Sequence, residues 1–255
     1  MPYTHLQQRE IFHLLFLERL LKISDARLFV LKGGVNLRFF FKSPRYSEDM
    51  DLDVLGGSVA TLKKNGYRIL EDPAFARSLA AFGIAELIIN DPSKAKQSTT
   101  TQRFRARLVT TAGDIYPTRV EFSRRGSKHA YVTETIDPAV ARPYRRLSFA
   151  CQHYPAHSAV LQKVDALAHR SEIQVRDVFD LYVLWLGGHL DTEAISSIKP
   201  PEVQRALDNL SALSYADYEG QVLDYLEPEQ LERFASKPVW NEIRETLLHV
   251  LASTA

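Results

Sequence analysis

Three aspartates stand at alternate positions in Asp49-Met50-Asp51-Leu52-Asp53-Val54-Leu55, a run with the period of a β-strand. On a strand they share one face, with Met50, Leu52 and Val54 on the other. Aligned carboxylates repel and Asp is depleted from strands, so folding alone gives no reason for the pattern. A divalent cation resolves the conflict, because Mg²⁺ takes one or two carboxylates together with substrate phosphate oxygens. One strand earlier, Phe29-Val30-Leu31-Lys32 runs into Gly33-Gly34, where the backbone can turn sharply and approach a ligand closely. Val35 to Lys42 then has helical spacing, so the glycines open a helix whose N–H groups and dipole favour a phosphate. Pro44 ends that helix. A metal clamp beside a phosphate cradle is the chemistry this stretch offers; the competing reading is an exposed edge strand whose aspartates face water.

Further candidates lie downstream. Val120-Glu121-Phe122 sets a carboxylate between two large apolar residues, costly to bury unless it is paired or ligates metal. A salt-bridged structural Glu is the alternative there. Arg103, Arg105 and Arg107 alternate on one strand face, either a solvated face or a surface for nucleic acid or triphosphate. Lys163 falls on a helix from Ala156 to His169. Arg176, Asp177 and Asp180 fall on a second, Val175 to Leu186. Asp177 and Asp180 are three apart and share a face, which in isolation is an ordinary solvated patch.

The elements that must position these residues can be read from periodicity. His5 to Lys22 is an amphipathic helix that covers the sheet beginning at Phe29. Val59 to Lys64 and Pro73 to Phe82 read as helices separated at Asn65-Gly66, the second entered by Asp72 as N-cap and Pro73 at its first position. Ile84 to Ile89, Phe104 to Thr110 and Thr118 to Phe122 read as strands, with the polar loop DPSKAKQSTTTQ after the first. Ser148 to Tyr154 is the last strand, Pro155 opens a helix, and everything beyond is helical. Breaks at Pro200-Pro201, Glu227-Pro228 and Lys237-Pro238 divide an acidic helical cap. The expectation is an α+β domain over residues 1–150 and an α-helical domain over 151–255.

Composition is that of an ordinary globular protein: 255 residues, 45% hydrophobic and 25% charged. A single cysteine, Cys151, excludes an internal disulfide and a cysteine metal site and suits a reducing cytoplasm. Neither a signal peptide nor a membrane-spanning run is present, so a cytoplasmic protein without membrane contact is expected. The net charge of +1 hides an asymmetry: ten Lys/Arg against four Asp/Glu over 101–150, and the reverse over 201–255. A basic middle points one lobe towards a polyanion.

Gly-Gly, a short helix and then Ser-Glu-Asp-x-Asp-Leu resemble the signature of the DNA polymerase β-like nucleotidyltransferase superfamily. Within it, LKGG…RYSEDMDLDV is similar to the AbiEii-type toxins of type IV toxin–antitoxin systems. The stretch LQKVDALAHR…VRDVFDLYVL resembles the Lys helix and the Arg-Asp-x-x-Asp-Leu-Tyr helix that follow the catalytic domain in those proteins. One departure is Val35, where a small hydroxyl residue often follows the glycines.

The resemblance implies a polymerase β-like domain with a mixed sheet flanked by helices, followed by an α-helical domain. It implies Asp49 and Asp51 as ligands of Mg²⁺ (or Mn²⁺), with Asp53 an extra carboxylate. Glu121 would be the third carboxylate, completing a second metal site or accepting the proton of the attacking hydroxyl. Gly33 and Gly34 would approach the phosphates and Lys163 would contact them, while Asp177 or Asp180 would complete the nucleotide site or hold Lys163 and Arg176. The reaction implied moves NMP from an NTP to an acceptor and releases pyrophosphate. For some relatives that acceptor is the 3′ end of tRNA, and a cognate antitoxin protein is the implied partner. Transfer to a small molecule or protein side chain, or a non-catalytic member that only binds a partner, are the alternatives. Ser47, two residues before Asp49, would cap its loop or hydrogen-bond the γ-phosphate. Phosphorylation there would add about −1.5 to −2 charges beside two aspartates and silence the enzyme.

Overall fold

The computed structural model describes residues 3–90, 98–126, 129–190 and 192–253. The chain divides into two compact units: Met1–Phe40 with Tyr46–His153, and Phe41–Arg45 with Tyr154–Ala255. The second unit thus takes up a five-residue segment that lies between the glycine turn and the aspartate strand.

In the first unit, α1 (His5–Ile23) precedes β1 (Phe29–Lys32), α2 (Gly33–Phe40) and β2 (Asp49–Val54). Next come α3 (Val59–Leu70), α4 (Pro73–Ala80), β3 (Ile84–Ile89), β4 (Thr101–Thr110) and β5 (Ile115–Ser123). The unit closes with β6 (Val132–Thr135), α5 (Pro138–Ala141) and β7 (Ala150–His153). The strands form one mixed sheet in the order β3-β4-β5-β2-β1-β7-β6, with β2 parallel to β5 and antiparallel to β1.

Alternation decides which face is the core. Phe29 and Leu31 of β1, Met50 and Leu52 of β2, Phe104, Ala106 and Leu108 of β4, and Val120 and Phe122 of β5 are all buried in one cluster with Phe12, Phe16 and Leu20 of α1. Their strand neighbours Lys32, Asp49, Asp51, Arg103, Arg105, Arg119 and Glu121 are half-buried or exposed. The sheet therefore has an apolar face under helices and a face rich in charges of both signs.

Several local expectations change. The break at Asn65-Gly66 is absent, and α3 runs through it to Leu70. The reason is tertiary: a Cβ at Gly66 would overlap the Phe104 ring, so this glycine lets helix and sheet approach closely and does not end the helix. The first short helix ends at Phe40, before Pro44, and the chain leaves through Lys42 in the left-handed region at φ 54°. Both glycines lie inside α2, with Gly33 at φ 69°. Strand β6, with the sequence VTET and mostly exposed, has no hydrophobic alternation to reveal it and forms by pairing with β7. Residues 91–97 of the polar loop lie outside the described residues, and Thr101 and Gln102 belong to β4.

The second unit is helical: α6 (Ala156–His169), α7 (Val175–Leu186), α8 (Thr192–Ser196), α9 (Pro200–Ala212), α10 (Tyr215–Gln221), α11 (Pro228–Phe234) and α12 (Lys237–Ala252). The three proline breaks read from the sequence are helix starts, where a missing N–H and a fixed φ cost nothing. Among the described residues no helix is long and apolar enough to cross a membrane.

One buried polar chain steadies the approach to β2. His13 Nε2 lies 2.9 Å from Thr118 Oγ1, and that hydroxyl donates to the Glu48 carbonyl at 2.7 Å. With the hydroxyl proton committed, neutral His13 serves as the donor. Burial, and then the charge of Arg9, push its pKa down to about 3. Below an unfolded pKa of about 6.5 the unfolded chain binds a proton that the fold refuses, so stability falls with pH by up to about 1.4 kcal/mol per unit. Urea denaturation between pH 7 and pH 4 should show that slope in the wild type and a shallower one in His13→Gln. Equal slopes would place the acid sensitivity elsewhere.

Candidate functional site

The site grows from the register of four strands. Asp51 of β2 lies opposite Lys32 of β1 on one side and Glu121 of β5 on the other, while Asp49 lies opposite Arg119. In-register neighbours project to the same face, so Asp49, Asp51, Asp53 and Glu121 share the charged side of the sheet. Arg103 of β4 lies opposite Glu121, and Arg105 opposite Arg119. Across the strands one row thus runs Arg103, Glu121, Asp51, Lys32, and the next runs Arg105, Arg119, Asp49.

Most of these carboxylates already have a basic partner. Arg119 Nη2 meets Asp49 Oδ2 at 2.7 Å, and Lys32 Nζ meets Asp53 Oδ1 at 2.6 Å. Glu121 Oε2 accepts from Arg103 Nε at 2.7 Å and faces its Nη2 at 2.5 Å. The extra carboxylate, Asp53, therefore has a task, which is to hold the lysine that leads into the glycine turn. Glu121 combines both readings: it is the salt-bridged Glu, and it stands on the strand next to Asp51. The expected trio of Asp49, Asp51 and Glu121 is not drawn into one ligand group. Among the described residues no cluster of three or more His, Cys, Asp or Glu is placed to hold a metal ion.

Asp49 and Asp51 together still suit a hard divalent cation, since Mg²⁺ uses one or two carboxylates and takes its other oxygens from phosphate and water. The glycine turn is shaped to the same purpose. A Cβ on Gly33 would come within 3.1 Å of Asp51 Oδ2 and press on the carboxylate, and the φ of 69° at this turn also favours glycine. Arg38 fixes the far end of α2 through a 2.6 Å bond from its Nε to the buried Glu10 of α1, which also accepts from Tyr144. Ser47, expected to cap its loop or to hydrogen-bond the γ-phosphate, donates its hydroxyl to the Asp49 carbonyl at 2.8 Å and so caps the loop before β2.

The second group of expected residues gathers inside the helical unit. Lys163 Nζ lies 2.7 Å from Asp177 Oδ1 and 2.5 Å from Asp180 Oδ2. Asp180 is fully buried and also takes both oxygens to Arg45, at 2.9 and 3.0 Å from Nη2. Burial alone would raise the Asp180 carboxyl, but the charges of Arg45 and Lys163 outweigh it and hold the group below the usual carboxylate range. Asp177 has Arg170 at 3.3 Å from its Oδ2, an oxygen that accepts no hydrogen bond among the described residues. Arg176 joins no ion pair among the described residues. The two aspartates thus differ: both oxygens of Asp180 are hydrogen-bonded, whereas Asp177 Oδ2 faces Arg170 without a hydrogen bond. The sequence gives no sign of Arg45 or Arg119. Their partners are 135 and 70 positions away, and only the fold brings them together.

The sequence matches the family described as nucleotidyl transferase AbiEii toxin, type IV toxin–antitoxin system, over residues 15–249. Among solved structures the fold is similar to JHP933 from Helicobacter pylori, with a TM-score of 0.57 and 16% identity over 99% of this chain and 96% of that one. It is also similar to a candidate nucleotidyltransferase from H. pylori, with a TM-score of 0.56 and 16% identity over 97% of this chain and 96% of that one. At such identity the likeness concerns the fold. No curated protein matches the sequence. Since the family match runs through both the glycine–aspartate site and the lysine–aspartate helices, the chain belongs to the AbiEii nucleotidyl transferase toxin family and is a nucleotidyltransferase.

Proposed function

We propose that this nucleotidyltransferase is metal-dependent and moves NMP from an NTP to an RNA acceptor, the 3′ end of tRNA being the first candidate, as the toxin of a toxin–antitoxin pair. The observation that carries the reading is the sheet face on which Asp49 and Asp51 stand beside the turn at Gly33, with Glu121 in register with Asp51. A bound Mg²⁺ or Mn²⁺ would be held by Asp49 and Asp51, and it supplies neutralisation of charge on the triphosphate and the departing pyrophosphate. The backbone N–H groups at Gly33 and Gly34 open α2 and bind phosphate oxygens. Phosphoryl-type transfer needs chiefly positioning and charge stabilisation, and this face is organised for both. Glu121 is the group on hand to accept the proton of the attacking hydroxyl. Its carboxylate is already engaged by Arg103, so Glu121→Gln should cost less activity than changes at Asp49 or Asp51.

RNA is favoured as acceptor by the basic stripe of β4. Arg103 is engaged with Glu121, while Arg105 and Arg107 are exposed on the same face. Every RNA phosphate that the protein ceases to neutralise should flatten the slope of log affinity against log salt by about 0.7 to 0.9. Changing Arg105 and Arg107 together to serine should therefore weaken RNA binding and flatten its slope by about 1.5. An unchanged slope would return both arginines to a solvated face. The decisive experiment incubates the protein with each labelled NTP and total RNA in Mg²⁺. Label in RNA that disappears in Asp51→Ala supports the reading. Label in protein or small molecules alone would move the acceptor to those classes. The family's description implies a cognate antitoxin as partner.

A further inference from the structure

We propose that Arg119 is a triphosphate-binding residue of this enzyme, parked on Asp49 until a cation takes that carboxylate. The inference deepens the metal-dependent nucleotidyltransferase reading and rests on it. Three observations converge on this one side chain. First, Arg119 Nη2 holds Asp49 Oδ2 at 2.7 Å, with the guanidinium side chain 32% exposed and the carboxylate 18% exposed. The pair is therefore accessible to solutes and can be exchanged. Secondly, Arg119 Nε is buried and has no acceptor among the described residues. A buried charged donor without an acceptor is costly, and an arginine whose whole purpose was to neutralise Asp49 would engage it with two parallel N–H bonds. Arg103 makes the contrast on the neighbouring strand, where both its Nε and its Nη2 are directed at Glu121. Thirdly, Arg119 lies directly opposite Arg105. Like charges at that spacing repel, and in the resting state Asp49 offsets the repulsion.

These three facts describe a counterion exchange. Once Asp49 turns its oxygen to a divalent ion, Arg119 loses its carboxylate and stands beside Arg105 with an unused donor. A triphosphate brings several anionic oxygens to the same face, and one of them satisfies Nε–H while relieving the arginine pair. Metal and Arg119 compete for Asp49, yet metal and triphosphate reinforce each other through Arg119. Lys32, tied to Asp53, and Arg103, tied to Glu121, have no such reason to move.

The test uses binding and no turnover. Mn²⁺ is titrated calorimetrically into the full-length wild type, Arg119→Gln, Arg119→Lys and Asp49→Asn, first alone and then with inorganic triphosphate. Arg119→Gln should bind Mn²⁺ about fivefold more tightly, because the competing cation is gone. It should bind triphosphate in the presence of Mn²⁺ about tenfold more weakly, because it cannot make the charge-assisted hydrogen bond. Arg119→Lys keeps the charge without the fork; it should match the wild type for Mn²⁺ and fall between the two for triphosphate. Either constant at its wild-type value in Arg119→Gln overturns the exchange, and should that protein not fold, a wild-type triphosphate constant in Arg119→Lys does the same. Mn²⁺ binding that survives Asp49→Asn overturns the metal assignment itself, which separates the two failures.

Discussion

Asp51→Ala is expected to lower nucleotide transfer by about a thousandfold or more, since several kcal/mol of charge stabilisation leaves with the ligand. Asp49→Ala should do the same. Neither change should unfold the protein. Asp51 stands on the half-buried charged face of β2, and its apolar neighbours Met50 and Leu52 keep their places in the core. The expected stability change is within about 1 kcal/mol, the range of partly exposed ion pairs and surface substitutions. Single-turnover transfer with saturating NTP, alongside a urea denaturation curve, separates the two effects. Near wild-type turnover in Asp51→Ala would overturn the proposed metal site on the carboxylate face. A thousandfold loss accompanied by unfolding would show that the aspartates are structural.

The second large effect lies in the helical unit and concerns stability. Asp180→Ala removes the common partner of Arg45 and Lys163, both buried, and leaves two cations without their shared counterion. Breaking such a network from one side costs about 3–5 kcal/mol, a large part of the stability of a unit this size. Asp180→Asn keeps the volume and one acceptor and should cost less. The double change Asp180→Leu with Arg45→Met removes charge from both sides and should recover part of the loss. Acid acts on the same group. Its depressed carboxyl contributes stability at neutral pH that is lost as pH falls through its folded pKa, beneath the usual carboxylate range of about 4. Denaturation followed by the fluorescence of Trp185 and Trp240, both in this unit, gives the measurement. A loss below about 1 kcal/mol in Asp180→Ala would mean that water or rearrangement solvates the cluster.

Much of this protein was determined by sequence alone, wherever the governing physics is local. Asp49, Asp51 and Asp53 alternate with Met50, Leu52 and Val54, and a period of two admits one arrangement in a half-buried strand, so the carboxylate face followed from spacing. The glycine turn before a helix was equally legible, because a φ of 69° at Gly33 is a property of that residue type. Asp72 and Pro73 announced α4 through rules that reach only a few residues along the chain, whereas the prolines read as breaks in the helical cap proved to be the starts of α9, α11 and α12. Gly66 shows where local reasoning stops. Its propensity favours a break, and only the Phe104 ring, 38 positions away, shows why the helix needs a residue without a side chain there. The partners of the charges belong to the same category. That Asp53 holds Lys32, that Glu121 is clamped by Arg103, and that Arg119 pairs with Asp49 depend on strand register. Register is set by the packing of the whole apolar face against α1, α3 and α4, and no window of sequence contains it. Arg45 and Asp180 are the extreme case, joined across 135 positions by a buried pair that only the tertiary structure could choose, since any acid in the chain was open to that arginine until the core had formed.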